Sequence, residues 1–154
     1  FEWLEKAYNN PSDLKAREKM AEASIVAGVA FSHPRTTGSH ACSFPLTNIY
    51  GLPHGEACAF TLDYFLKFNA EHADGDGRIT ALAKDCGFND AFEMADEITA
   101  MKKRMGMRCT LSEIGCETDE QIDELTNKSM SMLMTRNPIT LTQKDIKEMY
   151  IKLK

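Results

Sequence analysis

Apolar side chains along this chain recur three and four residues apart, the spacing that lines one face of an α-helix, and no segment alternates as a strand would. From Ser12 to Phe31 the pattern predicts one helix. Pro11 and Ser12 mark its start, Asp13 sits in the positive first turn, and Ala16, Met20, Ala23, Ala27 and Ala30 form a stripe of small side chains expected to be core packing against another helix. Between Ser32 and Gly55 the periodicity stops, and Pro34, Gly38, Pro45, Gly51 and Pro53 are expected to break any helix there. Glu56 to about Asn69 is apolar nearly all round, with Phe60, Leu62, Phe65, Leu66 and Phe68, which predicts one helix buried at a bundle centre. Arg78–Cys86, closed by Gly87, and Asp90–Met105, closed by Gly106, predict two more, the second with Ala91, Met94, Ala95, Ile98 and Met105 on one face. Thr118 and Gln121 make a capping-box pattern before a helix carrying Ile122 and Leu125, and Thr142 opens a last helix with Ile146, Met149, Tyr150 and Leu153 on one side. The expected fold is all-α, a bundle of about six helices in a single domain over residues 1–154.

Composition narrows the function classes. The chain has 154 residues, enough for one ordinary domain, and its longest apolar runs fall well short of the roughly 20 residues of a membrane helix. Eighteen Lys+Arg against 23 Asp+Glu give a net charge of −5 with no basic stripe, so neither nucleic acid nor a membrane is expected as partner. Five cysteines, an odd number without a Cys-x-x-Cys pair, favour a reducing compartment, and the expected location is cytoplasmic. The opening FEWLEKAYNN, without Met or a secretory leader, resembles the tail of a helix, and an N-terminal segment is expected to be missing.

The irregular segment holds the chemistry-bearing residues. His40 and His54 flank it, 14 residues apart, and two imidazoles brought together would suit zinc, iron, copper or nickel. Two ligands do not complete a catalytic site, and no His-Glu-x-x-His pattern supplies a third, so structural or surface histidines are the competing reading. Cys42 and Cys58 lie near the histidines, but their apolar flanks favour inert buried thiols over ligands. Asp74-Gly75-Asp76-Gly77 lacks the later acidic ligands of a calcium loop and reads as a solvated turn. Met130, Met132 and Met134 read as helix-end packing, and His33 and His72 carry no supporting pattern.

Taken in order, MAEASIVAGVAF, Gly38-Ser39-His40-Ala41, Pro45-Leu46, GLPHGEACAF and TRNPITLTQKDI resemble the C-terminal helical domain of the iron-containing (group III) alcohol dehydrogenases. The similarity runs over essentially the whole chain. It implies the dehydroquinate synthase-like architecture, in which an N-terminal α/β domain binds NAD(P) and the helical domain holds one divalent metal through an Asp and a His on an early helix and two later histidines. By that resemblance the later pair is His40 and His54, the metal is Fe²⁺ with Zn²⁺ the alternative, and the Asp/His pair and the dinucleotide domain lie upstream of Phe1. The implied activity is an oxidoreductase interconverting a small alcohol and its aldehyde, homo-oligomeric at full length. This chain alone, lacking a Gly-rich phosphate loop, is expected to be inactive.

Many members of that family carry a histidine four residues after the first of these ligands, where this chain has Phe44. The string from Arg35 to Thr47 is most similar to the branch reducing phosphonoacetaldehyde to 2-hydroxyethylphosphonate, which has an aromatic residue at the Phe44 position. In that reading Arg35 faces the phosphonate, because a guanidinium matches such an oxyanion, although a solvated loop arginine is the alternative. A non-catalytic helical interaction module and a glycerol dehydrogenase-like polyol oxidoreductase are the rival functions.

Overall fold

The computed structural model describes residues 1–154, all helix, turn or loop without a strand. The chain divides into two compact units, Phe1–Arg35 and Thr36–Lys154. The all-α expectation holds, with nine α-helices where about six were expected.

The first unit is α1 (Leu4–Asn9) followed by α2 (Leu14–Phe31). The start of α2 is set by Asp13, whose carboxylate accepts from the Ala16 amide at 3.0 Å, one residue later than the Pro11-Ser12 signal suggests. The small-residue stripe is not core within this chain: Ala16 is buried and Met20 half-buried, but Ala23, Ala27 and Ala30 are exposed. Length explains this within the unit. At 1.5 Å per residue, six-residue α1 is about 9 Å long and flanks only part of α2, about 27 Å.

In the second unit, α3 (Gly38–Tyr50) runs through the segment where the sequence suggested no helix. Pro45 stands inside it, with no N–H to give to the carbonyl of Ala41, a loss worth about 3 kcal/mol in an isolated helix. Burial offsets it. Ala41, Cys42, Pro45 and Leu46 form the inner face of α3, and Leu46 and Cys42 are fully buried in the core with Phe60, Ile122, Ile146 and Tyr150. Of the five residues expected to break any helix there, Pro34 precedes α3, Gly38 is its first residue, Pro45 is tolerated within it, and Gly51 and Pro53 follow its end, Gly51 in a left-handed conformation (φ 70°).

The run expected as one helix from Glu56 is two, α4 (His54–Phe60) and α5 (Leu62–Ala73), broken at Thr61. A buried cation causes the break to be stable. Lys102 Nζ donates to the carbonyls of Ala59 (3.1 Å) and Phe60 (3.3 Å) and pairs with Asp63 at 2.7 Å, while the Thr99 hydroxyl donates to the other Asp63 oxygen. The helix ladder is thereby replaced rather than lost. Phe60 and Phe65 face the core as expected, whereas Leu62 is 44% exposed.

The remaining helices follow their sequence signals: α6 (Arg78–Asp85), α7 (Ala91–Arg104), α8 (Asp119–Ser129) and α9 (Gln143–Lys152). Asp90 caps α7, Thr118 and Gln121 form the capping box of α8, and Thr142 with Asp145 forms that of α9. Asp74 of the solvated turn accepts from the Ile79 and Thr80 amides and the Thr80 hydroxyl at the start of α6. In the methionine stretch, Met134 is buried in a short 3-10 turn (Met132–Arg136) and Met132 is exposed.

Candidate metal centre

The turn Gly51-Leu52-Pro53 folds α4 back beside α3, and the two helices pack together. His40 lies in the first turn of α3, His54 opens α4, and Cys58 follows one turn later on the same face. The His40 and His54 rings stand 5.0 Å apart and nearly perpendicular. Cys58 Sγ is 3.7 Å from His54 Nε2, and one ligating atom from each of the three residues falls within 4.8 Å of the others.

The surroundings fix these side chains. Arg108 grips the Glu56 carboxylate with its guanidinium (2.8 and 2.7 Å) and backbone amide (2.9 Å), holding the first turn of α4, and this pairing keeps Glu56 below the ordinary carboxylate range. The Ser39 hydroxyl donates to the Cys58 carbonyl at 2.7 Å, tying α3 to α4, and Ser43 donates to the His40 carbonyl. Phe44, one turn after His40, packs edge-on against that ring at 4.9 Å and stacks over His54 at 6.3 Å.

Partial burial, then the neighbouring His54, hold the His40 pKa below its ordinary value, which favours the neutral imidazole a metal requires. His40 Nδ1 is buried with no hydrogen-bond partner, an unmet demand of the kind a bound ion or its water shell relieves. A donor set of two imidazoles and a thiol suits divalent zinc or iron, so the residues present fit a metal.

The other candidates separate. Cys42 points to the opposite face of α3, where burial pushes its thiol up to about 11, and it belongs to the core. Cys58, passed over in the sequence for its apolar flanks, joins the histidines; its signal was the His54-x-x-x-Cys58 spacing on one helix face. Arg35 is the exposed last residue of the first unit, with a left-handed backbone (φ 69°). His72 donates its Nδ1–H to the Phe68 carbonyl (2.8 Å) and stacks on the Phe68 ring, and it is not one of the three clustered donors. Glu56–Arg108 and Lys102–Asp63 escaped the sequence reading, because their partners are tens of residues apart.

A family model described as the C-terminal part of the Fe-containing alcohol dehydrogenase family matches residues 1–153. The chain is 31% identical over 153 residues to an alcohol dehydrogenase of Thermococcus barophilus, covering 97% of this chain and 39% of that one. The crystal structure of sulfoacetaldehyde reductase from Bifidobacterium kashiwanohense in complex with NAD⁺ matches with a TM-score of 0.93 and 47% identity, over 99% of this chain and 40% of that chain. An iron-containing alcohol dehydrogenase from Thermococcus thioreducens matches at 0.79 and 28%, over 93% and 38%. The chain thus spans about two fifths of the length of the relatives it matches. Motif order, helical architecture and the match over residues 1–153 agree, and the chain belongs to the iron-containing alcohol dehydrogenase family, as its C-terminal helical domain.

Proposed function

We propose that this chain is the metal-holding domain of an NAD(P)-dependent oxidoreductase that interconverts a small anionic aldehyde and its alcohol. The observation that carries the reading is the convergence of His40, His54 and Cys58 in a family of alcohol dehydrogenases. His40 and His54 act as ligands rather than as acid and base, and the nicotinamide cofactor is held by residues outside this chain. A divalent ion held by His40 and His54 would supply Lewis acidity toward an alcohol or carbonyl oxygen, and a nicotinamide cofactor would supply hydride-transfer chemistry. The chain's own part is to pre-set the imidazoles: the Ser39–Cys58 bond ties α4 to α3 and the Arg108–Glu56 grip anchors the first turn of α4 to the segment after α7, so both histidines are positioned before substrate arrives.

The substrate class follows from two supports. The 47%-identical neighbour is a sulfoacetaldehyde reductase, and the Arg35–Thr47 string resembles a phosphonoacetaldehyde-reducing branch; both substrates are two-carbon aldehydes with a tetrahedral oxyanion at the far end. Phe44 places an apolar ring against both histidines, excluding water from one side of the site. Arg35, five residues before His40 in the chain, is the guanidinium assigned to the oxyanion.

The test is NADH- and NADPH-dependent reduction, by the gene product purified from its own cell, of sulfoacetaldehyde, phosphonoacetaldehyde and butanal. The reading expects an anionic aldehyde to give the highest kcat/KM, and Arg35→Ala to lower that value about tenfold or more, chiefly through KM, with butanal unaffected. Equal turnover of butanal and both anionic aldehydes contradicts the substrate class, and no reduction of any aldehyde contradicts the activity.

A further inference from the structure

We propose that Lys102 is a positioning residue for the two histidines, its buried ammonium ending α4 at Phe60 and so setting how His40 and His54 stand relative to each other. That role rests on the metal-holding reading above and adds to it a residue that is not one of the clustered donors. An ammonium has three N–H donors, and the fold meets them with the carbonyls of Ala59 (3.1 Å) and Phe60 (3.3 Å) and the Asp63 carboxylate (2.7 Å). A buried ion pair is commonly no more stabilising than apolar side chains of the same volume, so stability alone does not call for a lysine here. What an apolar side chain cannot do is hold the two carbonyls at the end of α4, where the helix ladder stops at Thr61.

The break lets one stretch of chain serve two partners. Helix α5 packs on α7 and α4 packs on α3, whereas a continuous helix would carry α4 along the axis of α5. The last turn of α4 is then held at three successive carbonyls, Cys58 by Ser39 and Ala59 and Phe60 by Lys102. The Thr61 hydroxyl at the break donates to that of Ser39 (3.3 Å), the residue before His40. Without Lys102 this turn is free to swing about the Arg108–Glu56 grip on the first turn, and Ser39 follows the Cys58 carbonyl. Over the seven residues of α4, about 10 Å, a swing of about 6° moves that end by about 1 Å. Metal–ligand distances hold within about 0.2 Å, so such a shift beside His40 is felt by a bound ion.

The gene product purified from its own cell is stripped of metal and titrated with Zn²⁺ against a chromophoric chelator, alongside Lys102→Met and the double variant Lys102→Met, Asp63→Leu made in the same host. Each protein is first shown to be folded by circular dichroism, so the dissociation constant belongs to the folded state. A lysine that only stabilises the fold shifts the unfolding midpoint and leaves that constant alone. The expected result is Zn²⁺ binding weakened about tenfold or more in the single variant. The double variant is expected to show the same weakening, although removing the orphaned carboxylate returns part of the stability. Zinc affinity within about twofold of the unmodified protein in either folded variant overturns the positioning role and leaves the histidine site standing. No zinc binding by the unmodified protein overturns the metal-holding reading and this role with it. The double variant, which buries no unpaired carboxylate, decides the matter if Lys102→Met fails to fold.

Discussion

At Gly38 the chain has room for a hydrogen and little more. A Cβ built there comes within 2.6 Å of Leu141 Cδ1 and 3.0 Å of the Phe65 ring, both buried, so the first turn of α3 is pressed against the core by the absence of a side chain. His40 is two residues further on, and its position depends on that close approach. Gly38→Ala gains helix propensity, but overpacking outweighs it, and the expected loss is about 1–2 kcal/mol in denaturant unfolding. Unchanged or higher stability would show that Leu141 and Phe65 yield freely. The residue scale is also where the sequence said least about chemistry. Both histidines were legible as candidates by their setting among prolines and glycines, whereas Cys58 was masked by its apolar flanks. The useful signal was geometric, a four-residue step along α4 from His54, and it acquires meaning only once α4 is known to begin at His54 rather than at Glu56.

Among the elements, α7 to α9 were readable because their determinants are local: a capping residue, a periodic apolar face and, for α7, a closing glycine all lie within one segment. The errors fell where distant partners overrule local rules. Pro45 and Gly38 argue against a helix in isolation, yet the buried face of α3 makes one. The run from Glu56 argues for one continuous helix, yet Lys102, 41 positions beyond Thr61, holds it broken. That lysine is 4% exposed at its side chain and joins three acceptors on α4 and α5. Lys102→Met leaves Asp63 buried and unpaired and two carbonyls without their donor, with an expected destabilisation of about 3–5 kcal/mol. The double variant Lys102→Met, Asp63→Leu is expected to recover part of it, because the isolated carboxylate is the larger liability. A loss below about 0.5 kcal/mol for the single variant, measured by chemical denaturation, would mean that water reaches the pair and that the break in α4–α5 has another cause.

At the scale of the whole molecule, family, fold and candidate site meet in one helical chain. The chain has a family assignment over residues 1–153, a cluster of His40, His54 and Cys58 at the junction of two helices that could hold a metal ion, and about two fifths of the length of its relatives. Its helix α2 exposes Ala23, Ala27 and Ala30, where the sequence suggested core packing, and also Ile25, Val26 and Val29 at about 70% each; periodicity marks an apolar stripe but does not say whether the same chain covers it. The all-α class and most helices were therefore legible from the chain alone, and of the candidate metal centre the sequence offered the two histidines but not their proximity to Cys58. The central claim is that the chain holds a divalent metal through His40 and His54. It is tested most directly by metal content, by plasma mass spectrometry, of the gene product purified from its own cell alongside His40→Ala and His54→Ala variants made in the same host. The account predicts about one divalent ion per chain in the unmodified protein and a loss to near the background level in both variants, each still folded by circular dichroism. Equal metal in all three proteins, or none in the unmodified one, would contradict it.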